Sequence, residues 1–424
     1  MEAINWPVAV TAGVLAILGA VIPAAIYVVI LWWLDRYEKE PFWFLAFAFL
    51  WGAIPANVLA ALFNTLLGLP LVLLDPVLGE LGTASIIAPV IEETAKGLAL
   101  LLLVLLFRHE FDDVLDGIIY GALIGFGFAM TEDFDYFMRA FGEGGWEQMF
   151  LIILLRPTLF GIAHAAYTSV TGAGVGWARV AGRHWLWLLI VPGAWFLAVS
   201  LHAFNNAVTI LGLPGCCLAL ASNWLTAFVI LGLIIVALLW EGRWIREQLV
   251  EEIQRGLITP QEYQVLAGSW RRLGARWRAL TGSGWRAWRD HGRLFQLATD
   301  LAFKKYQLRR LGDEGRTVAD IAHLRAELAA LKGTLDLETA IACARCGQPL
   351  AAGRRFCTAC GASVQGAAYA PTAPPGWFDR QEPWVRVLIV IVLALLTICC
   401  VLMCLGFSTL SYGLGITTTP TPGL

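Results

Sequence analysis

Residues 84–107 read ASIIAPVIEETAKGLALLLLVLLF, an apolar run interrupted by Glu92, Glu93 and Lys96. A helix needs about 20 mostly apolar residues to cross a hydrocarbon layer roughly 30 Å thick, and this stretch is long enough. Charged side chains are costly at membrane depth, so three of them in one run need partners there. On a helix Lys96 lies beside both glutamates, four residues after Glu92 and three after Glu93. The stretch therefore predicts a membrane helix with a polar centre, packed among other helices.

The rest of the chain agrees. Of its 424 residues 58% are apolar and only 15% charged, against about 25% charged in an ordinary soluble domain. The net charge of −2 names no partner. The apolar residues fall in blocks, predicting an all-α polytopic membrane protein with eight transmembrane helices near 8–34, 43–68, 84–107, 117–138, 149–175, 185–211, 221–240 and 387–408. The first block has no preceding Lys or Arg and exceeds a signal-peptide core, so it is expected to be an uncleaved span.

Charge between the blocks sets the orientation. Arg36, Lys39, Arg108, Arg179 and Arg183 occupy alternate loops, and residues 241–386 hold 22 of the 30 Lys and Arg. The loops at 69–83 and 212–220 and the tail from 409 hold none, and Arg139 alone lies on that side. The positive-inside rule then puts both termini outside a cell membrane and 241–386 in the cytoplasm.

The expected organisation is a seven-helix core over 1–240 and a cytoplasmic Trp/Arg-rich helical region over 241–340. A zinc ribbon (341–364), a linker (365–384), the last span (385–408) and a tail (409–424) follow. Thr259-Pro260-Gln261-Glu262 outlines a capping box. Ile321, Leu324, Leu328, Leu331 and Leu335 repeat like a short coiled-coil seam. Trp270, Trp277, Trp285 and Trp288 alternate with Arg271, Arg272, Arg276, Arg278, Arg286 and Arg289. That pattern fits an interfacial helix on anionic lipid or a small bundle that buries its indoles, and nucleic acid is the less favoured partner.

Cys343-Ala-Arg-Cys346-Gly and Cys357-Thr-Ala-Cys360-Gly are two CxxC-Gly knuckles. Four thiolates in two pairs suit a closed, tetrahedral, structural zinc, and a cytoplasmic location disfavours disulfides. The ribbon is expected to bind a cytoplasmic protein partner or to hold that region together. Cys399, Cys400, Cys404, Cys216 and Cys217 fit no metal pattern.

Further ionisable residues lie inside the blocks: Glu132, Asp133 and Asp135, then Arg156 and His164, then His202 with Asn205 and Asn206. Phe160 and His164 share a helical face, as do His202 and Asn206. A carboxylate beside a neutral His suits general-base activation of water, and a second His with an Asn suits an oxyanion. A helix–helix hydrogen bond or a proton relay would use the same residue types.

On these residues the chain resembles the PrsW family of intramembrane proteases over about 31–210. Asp35-Arg36-Tyr37-Glu38-Lys39-Glu40-Pro41 is similar to its D-R-x-x-x-E-P segment, and Glu92-Glu93-Thr-Ala-Lys96 to E-E-x-x-K. Asp116-Gly117-Ile-Ile-Tyr120-Gly121 is similar to D-G-x-x-Y-G. Glu132-Asp133-Phe-Asp-Tyr136 is similar to E-N-x-x-Y, with Asp133 where Asn is usual. Arg156-Pro157, His164 and His202-Ala-Phe-Asn-Asn206 follow in order. The more distant CAAX prenyl endopeptidase and Abi group shares paired glutamates, F-x-x-x-H and H-x-x-x-N.

The resemblance implies a peptidase acting on membrane-protein substrates, with anti-sigma-factor-like regulators among the candidates. It implies that Glu92, with Glu93 beside it, and His164 hold the attacking water, while His202 and Asn206 stabilise the oxyanion. Lys96, Glu132, Tyr136, Arg156 and Phe160 support them. A catalytic metal on Glu92, His164 and His202 stays open; the cation at Lys96 and the amide at Asn206 lean towards a metal-free site. The rival reading is a non-proteolytic transporter, against which no repeat of the glutamate or His motifs is found, or a zinc-ribbon sensor or scaffold, against which the retained Glu-Glu, His and His-x-x-x-Asn set speaks.

Overall fold

The structure is a computed structural model describing residues 6–35, 40–107, 111, 113–181, 184–313, 317–334, 341–342 and 349–350. The chain divides into two compact units between Trp240 and Glu241. Among the described residues it is helical apart from one antiparallel pair of two-residue strands, β1 (Ile341–Ala342) and β2 (Pro349–Leu350).

The first unit begins with α1 (Trp6–Leu34), α2 (Phe42–Trp51), α3 (Asn57–Leu74), α4 (Pro76–Gly82) and α5 (Ala88–Leu106). It continues with α6 (Val114–Leu159), α7 (Ala163–Val180), α8 (His184–Thr209) and the start of α9 (Leu213–Gln254). Five stretches are long and apolar enough to cross a membrane: Trp6–Leu34, Phe42–Leu74, Val114–Val180, Trp185–Thr209 and Leu213–Gln254. Helix α5 has the length, and its three charges set it apart. The span expected at 387–408 lies outside the described residues.

Val114–Val180 holds the stretches expected at 117–138 and 149–175 as the two arms of one helical hairpin, which reverses at Gly145, whose φ of 66° suits a residue without Cβ. The return arm is then broken at Phe160–Ile162. Pro157 has no N–H for the preceding turn, and a Cβ on Gly161 would lie 2.3 Å from Pro157 O.

The arms lie backbone to backbone. A Cβ at Gly117, Gly121 or Gly125 would come within 2.1, 2.6 and 2.4 Å of the carbonyls of Gly172, Thr168 and His164. Those pairs, with the Arg156–Asp133 contact, are all centred between residues 144 and 145, so the register survives the break. Small residues at four-residue spacing let membrane helices approach this closely, where apolar burial alone gives no drive to associate.

Two further helices fit against α6. A Cβ on Gly127 would lie 2.0 Å from Phe49 O, and one on Gly52 1.9 Å from Ile124 O. Gly52 opens a π-turn over Gly52–Ala56, which contains Pro55. Loosened carbonyls need substitute donors in lipid. Asn57 Nδ2 donates to Gly52 O at 2.8 Å, and Thr131 Oγ1 to Ala53 O at 2.7 Å. On α1, Ala12, Ala16 and Ala20 bury against Phe137 and Met149 from the two arms of the hairpin.

The second unit holds the end of α9, α10 (Pro260–Leu266), α11 (Ser269–Leu311) and α12 (Thr317–Thr334). The capping box forms: Glu262 N–H donates to Thr259 Oγ1 at 3.2 Å, and Thr259 N–H to Glu262 Oε2 at 2.7 Å. Ile321 and Leu328 are buried, Leu324 and Leu331 half-buried, and Leu335 lies outside the described residues. Glu252, fully buried, is held by Lys305 at 2.6 Å and Arg325 at 2.6 Å. Helix α11 is itself a hairpin, reversing at Gly284 (φ 84°). Cys343, Cys346, Cys357 and Cys360 lie outside the described residues, as do the linker and tail.

Close packing at Gly121 makes a sharp expectation. Gly121→Val should cost about 1–3 kcal/mol or more and lower the thermal unfolding midpoint in detergent. Gly232→Ala, where a Cβ meets nothing within 4 Å, should leave it unchanged. Equal midpoints for the two variants would contradict the packing.

Candidate active site

A second π-turn, Thr83–Ile87, and Pro89 lead into α5. The buried face of α5 carries Glu92, Glu93 and Lys96, and Trp51 Nε1 on α2 anchors it by donating to Ala95 O at 3.0 Å. Lys96 is fully buried and donates to Glu93 Oε1 at 2.7 Å and to His164 Nδ1 at 3.1 Å. Its ammonium also lies 4.0 Å from the centre of the Phe128 ring, a cation–π contact that strengthens when desolvated.

Glu93 organises three helices. Beyond Lys96, its Oε2 accepts from Thr168 Oγ1 at 3.2 Å and its Oε1 lies 3.1 Å from His202 Nδ1. The carboxylate takes the Nδ1–H of His202, which leaves the Nε2 lone pair 3.8 Å from Glu92 Oε2. His164 uses both nitrogens. Its Nδ1 accepts from Lys96, and its Nε2–H donates to Glu132 Oε2 at 2.7 Å.

Arg156, just before the helix break, closes the outer side. It donates to Asp133 Oδ1 at 2.6 Å and Glu132 Oε2 at 2.9 Å, and lies 3.5 Å over the Tyr136 ring. Asp133 is thus an ion-pair partner in the cluster.

Two expected site residues lie elsewhere. Asn206 donates to Ala84 O at 2.9 Å and accepts from Asn205 at 3.0 Å. Among the described residues none of its hydrogen bonds reaches the glutamates or histidines. Phe160 occupies the turn of the helix break, and Phe128 packs on His164 instead, with ring centroids 5.1 Å apart.

Other residues escaped sequence reasoning. Tyr167 stacks on His202 at 5.1 Å and hydrogen-bonds Asn223 of α9, which donates to Asn205 at 3.0 Å. Thr168, one turn after His164, carried a spacing signal; Phe128, Tyr167 and Asn223 are ordinary residue types for apolar helices and carried none. The D-R-x-x-x-E-P and D-G-x-x-Y-G segments meet each other rather than the cluster, since Tyr120 donates to Glu40.

Two observations bear on a metal. One ligand atom each from Glu92, His164 and His202 falls within 4.8 Å of the others. Glu92 Oε2 is buried without a hydrogen-bond partner, since 3.7 Å to Lys96 and 3.8 Å to His202 are ion-pair distances only. Charge points the same way. With neutral histidines, Glu92, Glu93, Glu132 and Asp133 supply four negative charges and Lys96 and Arg156 two positive, leaving −2. A buried imbalance of that size calls for protons or a cation. Two His and one Glu are a zinc-type donor set, so the residues fit a divalent ion. Glu92 and His202 offer free lone pairs, while His164 would have to release Lys96.

Apolar helices around a buried carboxylate–histidine centre define a polytopic membrane protein with an enzyme-like core. Residues 40–239 match the family model described as PrsW family intramembrane metalloprotease. That family is one of intramembrane proteases, which supports a membrane location, a peptidase activity and membrane-protein substrates. No curated protein and no solved structure matches the chain.

The pairing of Lys96 with Glu93 is testable apart from activity. Lys96→Met leaves a buried carboxylate uncompensated and should destabilise the protein by about 3–5 kcal/mol. Adding Glu93→Gln should recover most of that in thermal scans. Additive losses in the double variant would refute the pairing.

Proposed function

We propose that the chain is an intramembrane endopeptidase that hydrolyses peptide bonds of membrane-associated proteins at Glu92, His164 and His202. The observation that carries this reading is the orphaned Glu92 Oε2 facing the free Nε2 of His202, beside Glu93, Lys96, His164 and Glu132, which hydrogen-bond one another or His202. Both lone pairs can accept from one water. Glu92 takes the proton as the water oxygen attacks the scissile carbonyl carbon, and returns it to the leaving nitrogen as the C–N bond breaks. Glu93 keeps His202 in the tautomer that leaves Nε2 open, and Lys96 with Glu132 fixes the His164 ring.

A divalent ion on Glu92, His202 and His164 would acidify the water and polarise the carbonyl when bound. The net charge of the cluster would be met by such an ion or by protons, and the metal-free reading loses the support of Asn206, which hydrogen-bonds Ala84 O and Asn205. Regulators of the anti-sigma-factor type are substrates to try first.

Seven crossings by residues 1–240 and an eighth near 387–408 fit the apolar stretches, with α5 and the two arms of the Gly145 hairpin counted separately. Both termini then lie outside and 241–386 in the cytoplasm. The short β1–β2 pair brackets Cys343 and Cys346, as a knuckle of a zinc ribbon would. A ribbon there would bind structural zinc and offer a surface to a cytoplasmic partner.

Cells carrying Glu92→Gln should lose about all cleavage of membrane-protein substrates, the scale on which loss of a proton-transfer group removes 10²–10⁴-fold of rate. His164→Ala, which removes the ring between Lys96 and Glu132, should lose it too, while both proteins still insert. Metal analysis separates the two sites. The wild-type chain should carry about two ions and the variant with Cys343, Cys346, Cys357 and Cys360 changed to Ser about one. His202→Ala in that background should remove the last. Full cleavage by a metal-stripped four-cysteine variant would refute the metal and leave the peptidase. Reporter fusions after Arg108, Arg183 and Arg310 should report cytoplasm and a fusion at the tail the outside; a cytoplasmic tail would remove the eighth crossing.

A further inference from the structure

The α11 hairpin turns its most hydrophobic surface residues outward. Its arms are joined by Arg272 Nη1, which donates to Thr299 Oγ1 at 2.8 Å, and by Arg276, whose guanidinium lies 3.9 Å over Trp288. Those contacts leave residues 277–286 as the tip. There Trp277 is 63% and Trp285 62% exposed, and Leu273 is 52% exposed on the adjoining turn. Trp285 stacks on Trp288 at 4.4 Å, so the exposed indole is held in place. The alternative in which this region buries its Trp in its own core does not hold for Trp277 and Trp285.

Charge at the tip is one-sided. Residues 269–293 contain seven arginines and one acid, Asp290. Arg271, Arg278, Arg286 and Arg289 are exposed. Arg278 and Arg286 have no ion-pair partner among the described residues, and Asp290 is taken by Arg289 at 3.3 Å. Thr281, Gly282, Ser283 and Gly284 between the arms are small, so the turn itself puts nothing bulky over the indoles.

We propose that the tip of the α11 hairpin docks on anionic lipid headgroups, with Trp277 and Trp285 at the headgroup boundary and the exposed arginines on phosphate. Indoles with an apolar body and one N–H donor favour that boundary, and arginine pairs with phosphate through a planar fork. The occupant follows from charge and tethering. The tip attracts anions, and the chain enters this unit directly from an apolar helix of membrane-crossing length. Lipid headgroups are therefore always at high effective concentration, whereas an acidic protein or an RNA must be recruited from solution. The inference stands whether or not the first unit is a peptidase.

The test uses the full chain labelled with fluorotryptophan in nanodiscs of phosphatidylcholine, with and without phosphatidylglycerol. Trp277→Phe and Trp285→Phe assign the two resonances. A nitroxide on the lipid near the headgroup should broaden both, a soluble gadolinium chelate should not, and both effects should require phosphatidylglycerol. Arg278→Gln with Arg286→Gln should weaken docking roughly five-fold per arginine, seen as a higher phosphatidylglycerol content needed for broadening. Three results would overturn the proposal. Broadening by the chelate alone in both bilayers means a free tip. Shielding from both probes means a protein cover, and shielding only after an acidic polypeptide or RNA is added means a soluble partner.

Discussion

An ammonium group with no solvent exposure, in a bundle built to sit among lipid tails, constrains everything near it. Lys96 is tolerable only because Glu93, His164 and the Phe128 ring surround it. Glu93 in turn is tolerable because Thr168 and His202 also donate to its carboxylate. Each partner comes from a different turn or helix, so the charges on α5 specify where α6, α7 and α8 must stand. Structure and chemistry share one network here: the contacts that neutralise Lys96 also orient both imidazoles.

The glycine-lined hairpin supplies the rigidity that network needs. Its register sets His164 opposite Gly125 and Arg156 opposite Asp133. Because the register continues through the break at 160–162, two short helices act as one arm. The break still matters locally. It lets Arg156 end one helix and His164 begin the next, so both reach Glu132 although they lie eight positions apart. An unbroken helix would place those positions about 80° apart around its axis, because eight residues are not a whole number of turns.

Much of this was legible in the sequence because charge at membrane depth is rare and therefore informative. Glu92, Glu93, Lys96, Glu132, Arg156, His164 and His202 stand out against apolar neighbours, and the structure brings all seven together. Helical spacing misled where it assumed straight helices. His202 and Asn206 do share a face, but Asn206 lies far enough along it to be claimed by Ala84. Phe160 is one turn before His164 only on a continuous helix, and Pro157 and Gly161 end that continuity. Phe128, Tyr167 and Asn223 could not be singled out, since aromatic and amide side chains in apolar helices ordinarily serve packing. The Trp/Arg alternation after residue 268 was visible, but whether the indoles pointed inward depended on the reversal at Gly284, for which Thr281-Gly282-Ser283-Gly284 is the turn signal in the sequence.

The exposure of the cluster gives it a direction. Side chains at its heart are closed off: Glu93 and Lys96 at 0%, His202 at 3%. Glu92 and His164 are at 10 and 11%, and Glu132 and Arg156 at 25 and 22%. Exposure therefore falls from Arg156 and Glu132, beside the helix break, through Glu92 and His164 to His202. Backbone near the break is already loosened, and a cavity lined by Tyr27, Asp133, Pro157 and Gly161 opens beside it. Irregular backbone survives at membrane depth only where protein or water satisfies it. The break is thus a place beside the cluster where water does not have to compete with an intact helical ladder. That side of the cluster presents Glu132 and Asp133 screened by one arginine, so under the proposed function an uncharged peptide carbonyl would be admitted more readily than an acidic side chain.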